Sequence, residues 1–495
     1  MLHHHHRSPL DLDHDTMRRL GHRVADVVAE HLATLREQRA FSRFPQGGDA
    51  WRRDVSPPRD GQEFETLLDH LRGNVFRHAA REPHPGFVAY VPSCPTFPAV
   101  LGDWLATGYN FFAGAWQVAE GPNALEALVL DWFRQWTGMP EGTRGLLTSG
   151  GSTATLIAMV AARHAVVGEE ADRISRLTVY LSDQTHSSAV RAAWIAGVPR
   201  AQVRMLPTEA DFRLVPNAVE KAIAADRARG LIPFMVVANA GTANTGAVDP
   251  LGAIADLCQR ERIWFHIDAA YGGFAVLTPV GRRALAGVER ADSVTIDPHK
   301  WLYVPFECGC LLAREPGRLY SMYHIMPDYL RDAAAVGEAV NFADYGEQLS
   351  RYSRAIKVWL SVSYFGVDAI AEAIAESLSL APHAETLVRA DPDMEVLAPA
   401  TLGILCFRVR PRGLSDPQEL DALNERIVEA LREEGRFFIS TTRLGGRLSL
   451  RICPLGFRTT RGDMEELIGA VAVLARQAQG HAAGRRLPAD SPVAG

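Results

Sequence analysis

The chain has 495 residues, a mass of 54.2 kDa and a formal net charge of −6 at pH 7. Apolar residues make up 47% of it and charged residues 22%, which is ordinary for a soluble globular protein. The negative charge, without a long basic run, argues against a general nucleic-acid-binding protein. A chain of this length can bury a large core without disulfide or metal support.

The N-terminal region is predicted to be helical and thin. Residues 1–9 contain the histidine run His3–His6 and are set aside as tag-like or disordered. Apolar residues recur at three- and four-residue steps between Leu10 and Gln38, and Gln62–Leu71 has a similar helical pattern. We expect residues 10–82 to form a helical extension that packs on another domain or subunit, because it is too thin to bury its own core.

From Pro83 onwards, short β-branched runs alternate with helical stretches. The predicted strands are Leu177–Leu181, Phe234–Ala238, Ile263–Ile267 and Ser293–Ile296, with helices such as Ala218–Arg229 and Pro250–Arg260 between them. Such alternation is typical of a parallel sheet in an α/β fold. Residues 83–375 are therefore predicted to form a large domain that ends in one long helix over Ser353–Ala371.

A smaller α+β domain is predicted over residues 376–479. Its strands are expected at Gly403–Val409 and Arg447–Ile452, and its helices at Asp416–Glu434 and Thr460–Gln477. Residues 480–495 are small, polar and proline-containing, which predicts a disordered tail.

Several classes of protein are disfavoured by what the chain lacks. The six cysteines are scattered without a zinc-type spacing, so we expect free thiols and no metal site. The weakly charged stretch Gly86–Gly102 contains three prolines and is not expected to span a membrane. With no signal-peptide core, the sequence predicts a cytoplasmic protein.

A glycine turn is the first candidate for a ligand site. Thr148–Thr153 contains Gly150 and Gly151 between hydroxyl residues and leads into the helical pattern Ala154–Arg163. Free N–H groups and the positive end of a helix dipole make such a turn suitable for phosphate. The turn matches neither a dinucleotide fingerprint nor a nucleoside-triphosphate loop.

Two polar residues stand at the ends of predicted strands, where ligands bind in a parallel α/β sheet. Asp268 follows Ile263–Ile267 and precedes the small residues Ala269–Gly273, which would allow a flat group to approach the backbone. His186 lies in the loop after Leu177–Leu181. Structural alternatives are a helix cap or loop salt bridge for Asp268 and a capped loop histidine for His186.

An amine nucleophile has few candidates, since Lys221, Lys300 and Lys357 are the lysines of the chain. Lys221 has the pattern of a solvated helix face, and Lys357 that of a packed stem with a paired head. Lys300 instead follows the strand Ser293–Ile296 in an apolar loop. A partly desolvated lysine becomes nucleophilic, so Lys300 is the candidate.

An amine, an anion site for one phosphate, a carboxylate and a flat slot together match one cofactor, pyridoxal 5′-phosphate (PLP). Its aldehyde forms a Schiff base with lysine, and its phosphate suits a helix N-terminus. An aspartate that faces the pyridine nitrogen keeps it protonated, so that the ring accepts electrons from Cα.

The sequence resembles the PLP-dependent amino-acid decarboxylases of the aromatic-L-amino-acid decarboxylase group, from about Leu10 to Gln477. The motifs that carry the resemblance are His84–Tyr90, Ser182–Ser188, His266–Tyr271 and Asp297–Leu302. The resemblance implies an α/β fold of the aspartate-aminotransferase-like type (type I), with a mainly parallel central sheet. It also implies a homodimer with sites at the subunit interface, in which the N-terminal helices clasp the partner.

The resemblance further implies roles for single residues. Lys300 would form the Schiff base with PLP, Asp268 would pair with the pyridinium, and His186 would stack on the ring. Tyr329 matches a loop tyrosine that protonates the product carbanion. The other cofactor-binding residues implied are Gly151, Ser152, Thr242, Ala270, Asp297 and His299. The substrate-binding residues implied are Tyr90, Pro92, Ser93, Phe112 and Ser350, in an apolar pocket that accepts an aromatic group.

Two positions depart from the family pattern. Asp297 stands where family members often have asparagine, and an acid near a phosphate must turn away or bond to a donor. Gly114 stands where animal relatives have a bulky aromatic residue, a role that Phe112 is placed to take.

The function implied is decarboxylation of an L-amino acid to its amine and CO2. By analogy with plant relatives, the serine at position 350 (Ser350) favours phenylalanine, tyrosine or dihydroxyphenylalanine over tryptophan as the substrate. Aldehyde synthases, which also deaminate oxidatively, tend to lack the tyrosine or histidine found here as Tyr329 and His186. A decarboxylase of a non-aromatic amino acid and a transaminase stay open. A non-catalytic scaffold would be expected to have lost Lys300, Asp268 or Tyr329.

Overall fold

The computed structural model of the chain describes residue 8 and residues 10–44, 56–325 and 339–483. Within these residues, seven strands form the central sheet in the order β1-β7-β6-β5-β4-β2-β3. They are β1 (Arg144–Thr148), β2 (Leu177–Ser182), β3 (Val203–Leu206), β4 (Ile232–Asn239), β5 (Trp264–Asp268), β6 (Ser293–Ile296) and β7 (Gly309–Ala313). Strands β2 to β6 run parallel, and β7 runs antiparallel to both β1 and β6. The predicted mainly parallel sheet is confirmed, with the four predicted strands near their expected bounds.

Helices link the strands of this sheet and cover it. Among the described residues up to 323 the helices are α1 (His14–Ala33), α2 (Phe64–His70), α3 (Phe97–Tyr109), α4 (Glu120–Thr137), α5 (Gly151–Val167), α6 (Ala171–Ile174), α7 (Ser187–Ile195), α8 (Pro216–Ala228), α9 (Leu251–Glu261), α10 (Pro279–Ala284) and α11 (Gly317–Tyr323), of which α1 and α2 belong to the N-terminal extension. Every residue of β5, β6 and β7 is buried. Because successive residues of a strand point to opposite faces, both faces of the sheet are covered.

The prediction of one long helix over Ser353–Ala371 is wrong. The chain forms α12 (Ala355–Phe365) and α13 (Val367–Ala390), which bend by 92° at Gly366. Gly366 has a φ of +79°, a conformation that favours glycine and ends the first helix. The apolar pattern continues through the break without a proline, so periodicity alone did not reveal it.

No single helix of the described residues is long and apolar enough to cross a membrane, and α12 with α13 pass such a test of length and composition only as a bent pair.

A second, smaller sheet follows α13. Its strands, again within the described residues, are β8 (Met394–Thr401), β9 (Ile404–Val409), β10 (Ser440–Leu444) and β11 (Arg447–Ile452), in the antiparallel order β10-β11-β9-β8. It packs with α13, α14 (Pro417–Glu434) and α15 (Arg461–Ala483). The predicted C-terminal α+β domain is therefore present. Its predicted start at residue 376 falls inside α13, where Leu378 belongs to the first core and Leu380 to the second.

The N-terminal extension adds little core of its own. Helix α1, whose first turn is capped by Asp13, contributes no buried side chain. The segment after it is tied to the small domain: Arg36 Nη1 lies 2.8 Å from Asp463 Oδ1, and the Ala40 N–H donates to the carbonyl of Gly435. The expected thin extension thus packs on another domain of its own chain.

Candidate active site

A cavity of about 650 Å³ opens where the carboxyl ends of the parallel strands meet. The last residues of β4 and β5, Asn239 and Asp268, and the segments that follow β2 and β6 supply one side of its wall. Ser440, Thr441 and Thr442 of β10 and Arg451 of β11 supply part of the other side. The cavity therefore lies between the large sheet and the small domain.

Lys300 reaches this cavity from the loop after β6. The residues that follow it, Trp301, Leu302 and Tyr303, are fully buried, as the apolar sequence predicts. Its Nζ lies 2.8 Å from Oδ2 of Asp297. Of the other lysines, Lys357 is buried with its Nζ 2.8 Å from Asp103 Oδ1, and Lys221 is exposed on α8, so both have the structural positions predicted.

Asp268 ends β5, between Asn239 of β4 and Thr295 of β6 in the strand register. Its Oδ1 accepts a hydrogen bond from the N–H of Ala270. Burial raises the pKa of this carboxyl, and the charge of Lys300 opposes that rise. A buried carboxylate in the cavity wall is suited to hold a proton on a cationic ring nitrogen.

His266, two residues before Asp268, points to the same face of β5. Its Nδ1 lies 2.8 Å from Ser293 Oγ, and its Nε2 lies 3.3 Å from Thr295 Oγ1. Complete burial lowers its pKa to about 3, so the ring is neutral at neutral pH. This neutral network supports the strands that carry Asp268 and Lys300.

The glycine turn forms the N-terminus of α5, as predicted, and Ser149 to Thr153 line the cavity. A Cβ added to Gly151 would lie 3.0 Å from Ala270 Cβ and 3.1 Å from Asp297 Oδ2. A Cβ on Gly309 of β7 would lie 2.4 Å from Gly150 Cα. The turn is thus seated backbone against backbone, with open N–H groups at the start of a helix, and fits a phosphate group.

His186 lines the cavity from the N-cap position of α7. Its Nδ1 accepts a hydrogen bond from the Ser188 N–H and lies 2.7 Å from Ser188 Oγ, which fixes the ring. The loop that carries it is anchored by Asn239, whose Nδ2 donates to Ser182 Oγ and Thr185 Oγ1. His186 therefore has both a structural role at the start of α7 and a place in the cavity wall.

Three further predicted cofactor residues also line the cavity: Thr242, Ala270 and His299. Thr242 Oγ1 lies 3.0 Å from Thr245 Oγ1, which closes the turn after β4. His299 Nδ1 lies 2.6 Å from the carbonyl oxygen of Cys308, and burial lowers the pKa of this histidine. The small side chain of Ala270 leaves room beside Asp268 for a flat group.

The residues predicted for substrate binding are not all brought together. Tyr90 lines the cavity, whereas Pro92 and Ser93 are buried away from it, and the Ser93 hydroxyl donates to the carbonyl of Val304. Phe112 and Ser350 are exposed and do not line the cavity. Tyr329 lies outside the described residues.

Phe112 and Ser350 belong to two segments that lie side by side. A Cβ added to Gly114 would lie 2.4 Å from the carbonyl oxygen of Leu349 and 3.0 Å from the ring of Phe112. The Ala113 N–H donates to the Arg351 carbonyl, and Arg351 Nη1 donates back to the Ala113 carbonyl. We use the name specificity patch for Phe112, Gly114, Leu349 and Ser350.

Sequence reasoning missed several polar residues of the cavity wall, among them Glu307, Asn244, Thr442 and Arg451. Glu307 lines it and accepts a hydrogen bond from Arg354. Asn244 lies in a chain of hydrogen bonds between Gln184 Oε1 and Thr442 Oγ1. No sequence signal marked Arg451, because Arg447, Ser449 and Arg451 alternate with apolar residues in β11, a pattern typical of a strand with one solvated face.

Arg451 links both sides of the cavity. Its guanidinium donates to the carbonyls of Tyr90, Ala243 and Asn244 and to Ser440 Oγ. It therefore fastens β11 of the small domain to the loop after β4 of the large one.

Comparison with known proteins agrees with this geometry. Residues 49–410 match the model of the pyridoxal-dependent decarboxylase conserved domain. The chain is 36% identical to an aromatic-L-amino-acid decarboxylase of Bacillus atrophaeus, over 94% of this chain and 97% of the relative. It is 33% identical to tyrosine decarboxylase 4 of Petroselinum crispum, over 94% and 93% of the two chains.

A solved structure is similar over nearly the whole chain. The crystal structure of Oryza sativa TDC with PLP and tryptamine superposes with a TM-score of 0.90 at 30% identity, and covers 95% of this chain and 99% of its own. The fold is therefore that of the type I PLP decarboxylases. The family match, the identities and the site geometry lead to one conclusion: the chain belongs to the pyridoxal-dependent decarboxylase family, as a PLP-dependent carboxy-lyase of the aromatic amino-acid group.

Proposed function

We propose that the protein decarboxylates an L-amino acid of the phenylalanine, tyrosine or dihydroxyphenylalanine type, to the corresponding amine and CO2. One observation carries the proposal: Lys300, Asp268, His186 and the 149–153 turn all line a single cavity. An amine, a carboxylate, a fixed imidazole and a phosphate-type turn are the groups that PLP requires.

Each of these groups has one task toward the cofactor. Gly151 and Ser152 would hold its phosphate, and Lys300 would supply the amine for its aldehyde. Asp268 would hold a proton at the ring nitrogen, and His186 would help to hold the ring in place. When bound, PLP supplies a cationic ring that accepts the electron pair released at Cα of the substrate.

The protein's own part in the reaction is orientation and proton transfer. Residues that hold the substrate carboxylate in the reactive orientation would select the loss of CO2 among the possible reactions at Cα. A closed cavity excludes water from this step. Tyr329 is proposed to deliver the proton that replaces the carboxylate at Cα.

The active form is proposed to be a homodimer whose sites lie at the subunit interface. Apart from Tyr90 and Tyr271, the wall of the single-chain cavity is mostly small or polar, which suits the cofactor better than an aromatic side chain. The specificity patch presents two exposed apolar side chains, Phe112 at 42% and Leu349 at 60%, beside the exposed Ser350. We infer that the patch of one subunit completes the substrate pocket of its partner.

The choice among aromatic substrates is proposed to depend on Ser350. Ser350 directly follows Leu349, whose carbonyl lies against Gly114 next to the ring of Phe112, so a small hydroxyl residue adjoins these apolar side chains. A larger ring needs more room at this point than a phenol does. Ser350→Gly is therefore expected to raise kcat/KM for tryptophan relative to tyrosine, whereas Ser175→Gly, at an exposed serine outside the cavity wall, leaves the ratio unchanged.

The test of the proposed function is incubation of the PLP-loaded protein with each common L-amino acid. CO2, amine, aldehyde and hydrogen peroxide are measured together. Amine and CO2 in equal amounts from tyrosine, phenylalanine or dihydroxyphenylalanine are expected. Aldehyde with peroxide would instead identify an oxidative aldehyde synthase, and turnover only of acidic or basic amino acids would overturn the aromatic assignment.

A further inference from the structure

Asp297 places a carboxylate beside the turn that is proposed to hold the cofactor phosphate. The side chain is 3% exposed and lines the same cavity. Its Oδ2 lies 2.8 Å from Lys300 Nζ, and a Cβ added to Gly151 would lie 3.1 Å from the same oxygen. The site that is proposed to bind a phosphate anion therefore also contains a carboxylate side chain.

The second oxygen of this carboxylate has an unusual environment. Oδ1 of Asp297 is buried and has no hydrogen-bond partner among the described residues. Buried acceptors are normally satisfied, because an unmade hydrogen bond costs the full desolvation of the group. Oδ1 is therefore an acceptor in need of a donor at the wall of the cavity.

Lys300 is the cation among the titratable groups that face Asp297. The others are His299, whose Nε2 lies 3.7 Å from Oδ2, together with Asp268, Cys308 and Cys310. Burial lowers the pKa of His299, raises that of Cys308 to about 12 and raises that of Cys310 well above its ordinary value, so these three are neutral at pH 8. The amine of Lys300 is itself committed to the cofactor aldehyde.

We propose that Asp297 and the cofactor phosphate share one proton, which is taken up from solvent when PLP binds. The inference rests on the proposed placement of the phosphate at Gly151 and Ser152. A free phosphate monoester has its second ionisation near pH 6, so it arrives as a dianion. Two like charges in a buried site repel strongly. A proton between a phosphate oxygen and Oδ1 removes one charge and gives Oδ1 its missing partner.

This sharing makes cofactor affinity depend on pH in a way that Asp297→Asn removes. Uptake of one proton weakens wild-type binding about tenfold for each pH unit above the phosphate ionisation. An asparagine can donate to the dianion directly. The ratio of the wild-type Kd to the Asp297→Asn Kd should then rise about tenfold per pH unit from pH 7 to pH 9.

Asp297→Asn also removes the ion pair with Lys300. By itself, this loss would make the ratio of the wild-type Kd to the variant Kd fall as the pH rises. A neighbouring carboxylate favours the charged form of an amine, whereas only the neutral form adds to an aldehyde, so loss of this contact would help the variant most in acid. The advantage of the variant would then shrink as the pH rises. Whether the Kd ratio rises or falls with pH therefore distinguishes a shared proton from a broken ion pair.

The experiment titrates cofactor-free wild-type and Asp297→Asn proteins with PLP at pH 7, 8 and 9, and follows the visible absorbance of the bound cofactor. Pyridoxal, which lacks the phosphate, is the matched control ligand. Calorimetry with inorganic phosphate, in two buffers of different protonation heat, counts the protons taken up at pH 8.

A rising Kd ratio with PLP, a ratio that does not rise with pyridoxal, and one more proton taken up by wild type than by the variant are expected. A flat or falling ratio with PLP, or equal proton counts, would overturn the shared proton while leaving the cofactor site intact. Absence of any Lys300-dependent visible absorbance in wild type would instead overturn the placement of the cofactor and with it this inference.

Discussion

Arg351 and Glu126 form an ion pair in the core, with Arg351 Nη2 2.7 Å from Glu126 Oε1 and both side chains 1% exposed. Arg351 also donates to the carbonyls of Ala113 and Leu147, and Glu126 accepts from the Leu147 N–H. The pair therefore fastens both segments of the specificity patch to β1. A core contact fixes the position of residues that are proposed to act in the partner's pocket.

Removal of one member of this pair is expected to destabilise the fold strongly. Arg351→Met leaves Glu126 as a buried charge without its cation, at a cost of about 3–5 kcal/mol in the free energy of unfolding. The double variant Arg351→Met/Glu126→Gln removes both charges and keeps an acceptor for Leu147, so part of the loss should be recovered. Denaturant unfolding measures both values. A loss below about 1 kcal/mol in the single variant would contradict this account.

Lys300→Ala is expected to abolish the visible absorbance of the purified protein with PLP. The amine that lines the cavity is removed, whereas the turn and Asp268 stay in place. Lys221→Ala, at an exposed lysine of α8, is the matched control and should keep the band. Retention of the band in Lys300→Ala would show that another amine holds the cofactor.

Asp268→Asn is expected to lower kcat by about 100-fold, the loss typical of removing one electrostatic contact from an active site. The cofactor should stay bound, because the phosphate turn and Lys300 are untouched. Burial raises the pKa of Asp268, so wild-type activity should fall on acidification at a higher pH than an ordinary aspartate would give. Steady-state rates from pH 4 to 8 test both points. Similar kcat values for the two proteins would exclude a role for the carboxylate in the chemistry.

Tyr329→Phe is expected to convert amine production into aldehyde production. Without the phenol, the proton that completes the amine is delivered slowly, and the electron-rich product has time to react with oxygen. Amine, aldehyde and hydrogen peroxide in the same reaction are the measurement. An unchanged yield of amine would assign the proton to another donor.

His266 is expected to make the fold less stable in acid. Its pKa is about 3 in the folded protein and about 6.5 when exposed, so between these values the unfolded chain binds a proton that the folded chain does not. Stability from this group is complete above pH 6.5 and falls by about 1.4 kcal/mol per unit as the pH drops toward 3. Urea unfolding of His266→Gln should show a smaller loss between pH 6 and 5. The exposed His22→Gln serves as control, and an equal loss in His266→Gln would refute the assignment.

Much of the fold was predictable because the pattern of apolar residues along the sequence agrees with the burial of those residues in the structure. Strand β6 has its predicted bounds, since a short β-branched run is buried on both faces. Lys300, Asp268 and His186 were predictable because parallel strands bring their carboxyl ends to one edge. The break at Gly366 was not, because a glycine in an apolar stretch is tolerated within a helix as well as at its end.

The polar wall of the cavity was harder to predict. Thr442 and Arg451 come from the small domain, and their approach to Asn244 depends on how two separately folded sheets pack. Local periodicity carries no information on such packing. The placement of Ser93 failed for a related reason: its loop turns inward, and the hydroxyl meets the carbonyl of Val304.

The contact between Gly309 and Gly150 has a consequence for ligand binding that lies outside the cavity wall. The nearest neighbours of a Cβ at position 309 are backbone atoms of Gly150, so no change of a neighbouring side chain can make room for a larger residue there. Gly309 does not line the cavity, yet a larger residue at this position would displace the turn that is proposed to seat the phosphate. In this chain, loss of cofactor binding would thus follow from a substitution at a residue that the cofactor itself is not expected to touch.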